Sequence, residues 1–234
     1  MKLKLGTELM NGRLRVLLGG FAIIAIVTAI VLGICLTEKK PTTGAINGHE
    51  WVDLGLSVKW ATCNVGASSP SAYGDYYAWG ETTAKSDYTE ENYEFKVIDD
   101  RSVEDVFEKY STLDKKKKLE LSDDAASVNW GGKWRMPTWS EWMELDKKCL
   151  WVWTEHDGTS GYKVTSKKNG NSIFLPIAGC LHTYLDHDGK VGYYWSSTLA
   201  SDTKAWYTQL RQGDVEVYLR MDRYLGLSVR PVYK

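Results

Sequence analysis

The N-terminal part of the chain contains 21 consecutive residues, 16–36, without a charged residue or a proline. About 20 apolar residues in a helix cross the roughly 30 Å hydrocarbon core of a bilayer. A cleavable signal peptide has a shorter apolar region, about 7–15 residues, with small residues at its cleavage site. Residues 16–36 are therefore predicted to be an uncleaved transmembrane anchor, and any globular fold must be built from the residues on its C-terminal side.

The end of this stretch leaves a second interpretation open. Leu32-Gly33-Ile34-Cys35 is similar to the lipidation motif of bacterial lipoproteins, with Cys35 as the lipidated residue. The position before a lipidated cysteine is normally small, whereas Ile34 is branched and bulky. We therefore favour the uncleaved anchor over the lipoprotein.

The charges around the anchor predict its orientation. Arg13 and Arg15 precede it, and basic residues that flank a transmembrane helix stay on the cytoplasmic side. The chain then divides into a basic cytoplasmic segment 1–15, the anchor 16–36, a tether 37–47 and a domain 48–234. The domain is expected outside the cytoplasm, in the periplasm or at the cell surface.

The composition of the C-terminal part indicates a folded, aromatic-rich domain. All eleven Trp and all fourteen Tyr lie there, and from residue 41 onward 23 basic residues face 28 acidic ones. Nucleic-acid binding depends on a basic surface that neutralises phosphates. A mildly acidic domain lacks that surface, so we expect no nucleic-acid partner.

Strand patterns dominate the domain. The predicted strands are 51–56, 58–65, 151–155, 162–166, 172–178, 192–199, 205–211, 215–220 and 227–233. Asp157-Gly158 separates two of these runs and predicts a tight hairpin.

Two helices interrupt the strands. Asp123-Asp124 is predicted to open a short helix through Asn129, and Thr138-Trp139-Ser140-Glu141 is a capping box that opens a longer one. Trp142, Leu145 and Cys149 recur behind it at helical spacing. A weaker pattern predicts a third helix over 102–113. Strands that surround helices, rather than alternate with them, indicate an α+β fold.

Four ordered motifs in the middle of the domain resemble a segment of a known fold. They are Asp123-Asp124-Ala125-Ala126, Asn129-Trp130-Gly131-Gly132, Trp134-Arg135-Met136-Pro137-Thr138 and Glu141-Trp142. They resemble a segment of the formylglycine-generating sulfatase-modifying fold, which is a variant of the C-type lectin fold.

A larger set of motifs covers the domain from about Gly48 to Lys234. These motifs are Trp51-Val52-Asp53-Leu54-Gly55-Leu56, Lys59-Trp60-Ala61-Thr62-Cys63-Asn64-Val65-Gly66-Ala67, Tyr73-Gly74-Asp75-Tyr76-Tyr77-Ala78-Trp79-Gly80-Glu81, Gly161-Tyr162-Lys163-Val164-Thr165-Ser166, Ile173-Phe174-Leu175-Pro176, Gly192-Tyr193-Tyr194-Trp195-Ser196-Ser197 and Gly226-Leu227-Ser228-Val229-Arg230-Pro231-Val232. The set is similar to the Fibrobacter succinogenes-type major paralogous domain, found in surface proteins of Bacteroides-like bacteria. The resemblance implies a C-type-lectin-like domain with mainly antiparallel strands and two helices.

The resemblance does not extend to catalysis. Oxygenases of the formylglycine-generating fold use a cysteine pair near the C-terminal end, but no cysteine follows Cys180 here. The matching stretch Trp195-Ser196-Ser197-Thr198 carries no thiol. Gly-x-Ser-x-Gly, His-Glu-x-x-His and Cys-x-x-Cys are also absent from the sequence. We therefore predict a protein that binds rather than catalyses and that needs no cofactor.

Two features allow more than one interpretation. His182, Asp186, His187 and Asp188 are four potential metal ligands within seven residues, but they equally suit a polar turn between strands, which we favour; no metal is predicted. Cys63 and Cys149 form either a disulfide or two buried thiols, and Cys180 is an alternative disulfide partner.

The candidate ligand site lies in the C-terminal strands. In several C-type-lectin-like proteins the ligand surface lies there, and receptors of this fold diversified by retroelements vary residues in that region. Period-two alternation places one set of side chains outward. This set is Tyr207, Gln209, Arg211, Glu216, Tyr218 and Arg220, with Trp206, Thr208, Leu210, Val215, Val217 and Leu219 facing the core. Tyr and Arg are typical of ligand-contacting surfaces.

The sequence therefore predicts binding of an extracellular protein or glycan through these outward residues. An ordinary solvated hairpin face is the alternative interpretation of the same pattern. At the level of the whole protein, the alternative is a structural or envelope-assembly module without a soluble ligand. An enzyme acting on surface glycans is a third class, but no carboxylate pair with supporting context is found.

Overall fold

The structure, a computed structural model, describes residues 42–97 and 106–234. The predicted anchor 16–36 and Cys35 lie outside the described residues. Within the two described ranges, no helix has the length and hydrophobicity that a bilayer crossing requires. The described residues are mostly antiparallel strands with two α-helices, which confirms the coarse α+β prediction.

The strands are given first and the helices second, each numbered in chain order. The strands are β1 (Thr43–Ile46), β2 (His49–Val52), β3 (Lys59–Ala61), β4 (Tyr76–Tyr77), β5 (Lys96–Val97), β6 (Val106–Phe107), β7 (Trp134–Arg135), β8 (Cys149–His156), β9 (Thr159–Ser166), β10 (Ser172–Pro176), β11 (Cys180–Leu181), β12 (Leu185–Asp186), β13 (Val191–Leu199), β14 (Lys204–Arg211), β15 (Asp214–Asp222), β16 (Leu227–Ser228) and β17 (Val232–Tyr233). The helices are α1 (Ala125–Trp130) and α2 (Trp139–Lys148), with a short 3-10 turn at Leu121–Asp123.

Two five-stranded sheets form most of the architecture. The first has the order β1-β2-β3-β17-β7, which places the last strand, β17, between β3 and β7. The second has the order β15-β14-β13-β16-β4, with β15 at its edge. A three-stranded sheet β10-β9-β8 and two short two-stranded pairs complete the fold.

Strand β13 separates two hydrophobic cores. Tyr193 and Trp195 face one core, which also contains Trp79. Tyr194 faces the other, which contains Trp142. Successive side chains of a strand point to opposite faces, so a strand covered on both sides reads as a continuous apolar run.

The local signals read from the sequence place the hairpin and both helices correctly. Asp157 and Gly158 both have positive φ angles, 47° and 77°, as a two-residue type I′ turn between β8 and β9 requires. Asp124 caps α1 by accepting from the backbone N–H groups of Ala126 and Ser127. Thr138 and Glu141 form the predicted reciprocal capping box at the start of α2.

The predicted helix over 102–113 is wrong in the part that the structure describes. Residues 106–107 form strand β6, and residues 108–114 are bends and turns. The carbonyls of Lys109 and Tyr110 accept hydrogen bonds from the buried guanidinium of Arg223 instead of from helical N–H groups. A tertiary partner far along the chain therefore overrides the local helical pattern.

Motifs that carry the family resemblance contact one another in the interior. Arg230, from the closing motif, is fully buried and its Nε donates to Asn64 Oδ1 at 2.8 Å. Its Nη1 donates to the carbonyls of Ala61 and Thr62 at 3.0 and 2.8 Å. These bonds therefore link the end of β3 and the segment that follows it to the segment just before the last strand, β17.

The motifs 73–81 and 192–197 are also joined by buried hydrogen bonds next to β13. Trp195 Nε1 donates to the Tyr77 carbonyl at 2.7 Å, and Trp79 Nε1 donates to the Ser196 carbonyl at 2.8 Å. All four residues are buried. Buried indole N–H groups need a hydrogen-bond partner, and each indole finds its partner in the other motif.

Candidate functional site

The predicted ligand residues lie on the hairpin formed by β14 and β15. β15 is an edge strand, whereas β14 is paired on both sides, with β15 and with β13. This difference in position decides which of the six predicted side chains reach solvent.

The outward orientation predicted for Tyr207 and Gln209 is wrong. Their exposed fractions are 6% and 5%. Tyr207 packs against the rings of Tyr193 and Trp195, at centroid distances of 5.8 and 6.5 Å. Burial raises the pKa of Tyr207 to about 12. The alternation predicts one covered and one solvated face, but the side of β14 that carries Tyr207 packs into the first core and Leu210 on the other side packs into the second.

Four predicted residues remain accessible. Arg211, Tyr218 and Arg220 are exposed and Glu216 is half-buried. The Arg211 guanidinium lies 3.7 Å from the Glu216 carboxylate near the hairpin turn, so these two charges form a weak pair. Tyr218 and Arg220 lie farther along β15, where no ion pair forms between Arg220 and any described residue.

A β-bulge changes which side chains share a face of the hairpin. Tyr207 pairs with Leu219 and Gln209 pairs with Glu216, so the single residue Thr208 faces two residues of β15. Such a bulge shifts the alternation of the longer strand by one residue. Tyr218 and Arg220 therefore lie on the same face as Trp206, which pairs directly with Arg220.

These residues form an aromatic cluster that we define as Trp139, Trp206, Tyr218 and Arg220. The rings of Trp139 and Trp206 stack at 4.9 Å with a 20° interplanar angle, and Tyr218 meets Trp139 at 5.9 Å in a T-shaped contact. The guanidinium carbon of Arg220 lies 4.9 Å from the Trp206 ring centre. The cluster thus combines stacked rings with a cation held against one of them.

Trp139 is fixed in the cluster from two directions. It is the first residue of α2, directly after the Thr138 cap. Its Nε1 donates to the Val217 carbonyl at 2.7 Å, on the bulged part of β15. Because the rings hold one another in place, a ligand contacting Tyr218 and Arg220 meets side chains that are already ordered.

The positive charge of Arg220 is not neutralised by its neighbours on the hairpin. Lys204 and Asp222, the next pair along the strands, neutralise each other at 2.6 Å. Among the described residues Arg220 contacts the Trp206 ring but no carboxylate. Tyr218 beside it is 54% exposed. The surface therefore offers an aromatic ring, a phenolic hydroxyl and an uncompensated positive charge side by side.

The sequence interpretation missed Trp139 and Trp206 as surface residues. In the sequence, Trp139 stands only as part of the capping box that opens α2, and nothing local to that box relates it to β14 or β15. Trp206 was assigned to the core by strict alternation, which the bulge breaks. The sequence signal for them is the density of aromatic residues: the start of α2 carries Trp139 and Trp142, and the hairpin carries Trp206, Tyr207 and Tyr218.

The segment 180–190 forms a short hairpin of β11 and β12 followed by a turn in which His187 has a φ of 59°. His187 Nδ1 lies 3.0 Å from Asp186 Oδ2. Within the described ranges, no three His, Cys, Asp or Glu residues converge as ligands for a metal ion.

The three cysteines of the domain are free thiols in separate surroundings. Cys149 is buried, while Cys63 and Cys180 are half-buried, and no disulfide joins them. Burial raises the pKa values of Cys149 and Cys180 to about 11, which keeps both protonated near neutral pH. The structure therefore has the two-thiol alternative rather than the Cys63–Cys149 disulfide.

Comparisons with known proteins give no independent identification. Neither the protein-family models, nor the curated proteins, nor the solved structures contain a match to this chain. The resemblance in the sequence motifs and the geometry of the aromatic cluster are thus what support a function.

Proposed function

We propose that the protein is a membrane-anchored extracytoplasmic binding protein that recognises a protein or glycan ligand through its C-terminal strands. The observation that carries this proposal is the aromatic cluster, with Tyr218 and Arg220 exposed on the edge strand β15. The anchor 16–36 and the cell-surface location rest on the sequence.

The residue types of the cluster suit recognition. Trp, Tyr and Arg dominate the energetically important contacts of binding interfaces, because they bury large areas with few rotatable bonds. The same aromatic surfaces and guanidinium also suit the C–H faces and hydroxyls of a glycan. Arg211 and Glu216 lie at the edge of this surface, where paired charges contribute less to affinity.

The family assignment is part of the proposal. The motifs resemble the Fibrobacter succinogenes-type major paralogous domain, and we propose a C-type-lectin-like arrangement for the α+β fold. This assignment agrees with a binding role rather than a catalytic one, because the motifs themselves are occupied with interior contacts such as Arg230 to Asn64.

The Tyr218→Ala, Arg220→Ala double variant tests the proposed site. We expect it to weaken ligand binding by about 30-fold or more, since losing a central contact costs about 2 kcal/mol. Thermal stability should change little, because surface substitutions usually stay within about 0.5 kcal/mol. Binding is measured on a glycan array and by attachment to intact cells.

The matched control is the Arg211→Ala, Glu216→Ala double variant. It removes two charged side chains from the same hairpin without touching the aromatic cluster, so it should retain most of the binding. Equal binding by all three proteins would contradict the site. If binding is lost only after metal chelation or after changes in the 182–188 segment, the ligand site lies in that segment and not in the aromatic cluster. A wild-type protein that binds nothing would favour the envelope-assembly module.

The membrane anchor is tested by alkaline carbonate extraction. We expect the full-length protein to stay in the membrane pellet, because about 20 apolar residues give effectively irreversible insertion. Release of the protein into the supernatant would contradict the anchor. Palmitate labelling that disappears in a Cys35→Ser variant would instead support the lipoprotein.

A further inference from the structure

A second concave surface lies beside the turn of the same hairpin. We propose that this surface, here called the indole groove, binds one ring of a neutral saccharide. It is a groove of about 230 Å³ lined by Trp151, Trp153, Tyr162, Gly213, Asp214 and Val215. It is separate from the aromatic cluster, and no residue is shared between them.

The walls of the groove are two indole rings on strand β8. Trp151 and Trp153 are two residues apart, so their side chains leave the strand on the same face. Both are only partly buried. Tyr162, on the neighbouring strand β9, makes T-shaped contacts with both rings, at 5.8 and 5.3 Å. The indole orientations are thus set by a buried neighbour while part of each ring remains accessible.

The floor of the groove is held rigidly. The Tyr162 hydroxyl donates to the Arg211 carbonyl at 2.7 Å and accepts from the Gly213 N–H at 3.0 Å. These two bonds tie the β14–β15 turn to the three-stranded sheet. A preformed groove loses little conformational freedom when a ligand enters, which favours weak but specific binding of a small group.

The rim supplies a polar group without a partner. Asp214 is exposed, and its carboxylate has no hydrogen bond or ion pair with any described residue. Gly213, next to it, has a φ of 82°, and nothing lies within 4 Å of the position that a Cβ would take. A ligand ring therefore has open access to the backbone of the turn and to a free carboxylate.

This combination fits a sugar ring better than other small ligands. The electron-rich face of an indole attracts the slightly positive C–H groups on one face of a pyranose. A carboxylate accepts hydrogen bonds from sugar hydroxyls, and it repels uronic acids and sulfated sugars. The volume lies below the roughly 300–1,000 Å³ of pockets for drug-sized ligands, so one ring is the matching size.

The test uses the full-length protein in detergent and saturation-transfer difference NMR with maltohexaose, cellohexaose and mannohexaose at millimolar concentration. We expect a transfer signal from at least one of these neutral probes. Trp153→Ala and Asp214→Ala should each reduce the affinity by about tenfold or more. Asp214→Ala is the safer variant, because the Asp214 side chain is exposed and has no structural partner among the described residues.

Two controls separate this inference from the proposed function. Tyr218→Ala weakens any sugar binding by the aromatic cluster, so the transfer signal that remains in this variant should come from the groove and should fall again when Asp214→Ala is added. An oligogalacturonate probe should bind at least about tenfold more weakly than the neutral probes, because Asp214 repels it.

Absence of a signal from every neutral probe, or a signal that survives both groove variants, would overturn the inference. A signal lost in Tyr218→Ala but kept in Asp214→Ala would place the sugar in the aromatic cluster. That outcome would contradict the indole groove as a sugar site and support the proposed function.

Discussion

Replacing Arg223 with Met is expected to destabilise the domain by at least about 3 kcal/mol. Arg223 is fully buried, immediately after strand β15, and it forms no ion pair with a described carboxylate. Its Nε donates to the Tyr93 hydroxyl at 3.0 Å. Three carbonyls, those of Lys109, Tyr110 and Asp202, accept from its two terminal nitrogens at 3.0, 3.3 and 2.7 Å.

The surroundings of Arg223 explain why a neutral side chain is a poor replacement. Its guanidinium carbon lies 4.8–6.0 Å from five ring centres, those of Trp79, Tyr93, Phe95, Phe107 and Tyr110. Burial lowers the pKa of Arg223, but an arginine stays charged in proteins. Methionine would fill part of the volume and leave the buried carbonyls without donors, which costs about 1–3 kcal/mol for each isolated group.

The measurement is equilibrium unfolding in urea, with Arg211→Met as the matched control. Arg211 is exposed and has one weak ion pair, so its replacement should change the free energy of unfolding by less than about 0.5 kcal/mol. Equal stability of the two variants would show that the hydrogen bonds of Arg223 do not stabilise the fold. Arg223→Lys should also destabilise, because a single ammonium cannot reproduce the planar fork of donors.

Trp142→Ala is expected to cost about 3–5 kcal/mol, the usual range for emptying a large aromatic site in a core. The Trp142 indole is fully buried in the second core. Its ring lies 4.8 Å from the Trp60 ring and 5.7 Å from the Tyr194 ring. Its Nε1 donates to the Trp195 carbonyl at 3.2 Å, so the variant also removes a buried hydrogen bond.

Thr138→Ala is a milder substitution in the same helix and serves as the comparison for Trp142→Ala. It removes the side-chain cap of α2 without opening a cavity and should cost about 1 kcal/mol. Both losses are read from the urea midpoint at constant slope. Equal, negligible losses would contradict the packing of α2 against the sheet, whereas a loss in Thr138→Ala larger than in Trp142→Ala would place the stabilisation in the cap.

Short-range signals in the sequence proved reliable because their physics is local. Asp157-Gly158 is a type I′ hairpin because two adjacent residues tolerate positive φ. The Thr138–Glu141 capping box depends only on four consecutive residues. The mixed strand and helix content follows from patterns of this kind.

Longer patterns proved less reliable where a distant partner competes with them. In the described residues 106–113, β6 and turns replace the predicted helix, because the Arg223 guanidinium donates to the carbonyls of Lys109 and Tyr110. Tyr207 and Gln209 are buried because β14 lies inside the sheet, with cores on both faces. Sequence alternation does not reveal whether a strand lies at the edge or in the centre of its sheet.

The sequence by itself therefore determined the α+β class, the turns, the helix starts and the hairpin on which Tyr218 and Arg220 lie. Tertiary structure alone decided the composition of the candidate site. The bulge in β15 shifts Tyr218 onto the face of Trp206, and the first turn of α2 brings Trp139 against both. The physical reason is that a one-residue shift in a strand exchanges its two faces, and only the paired sheet fixes that shift.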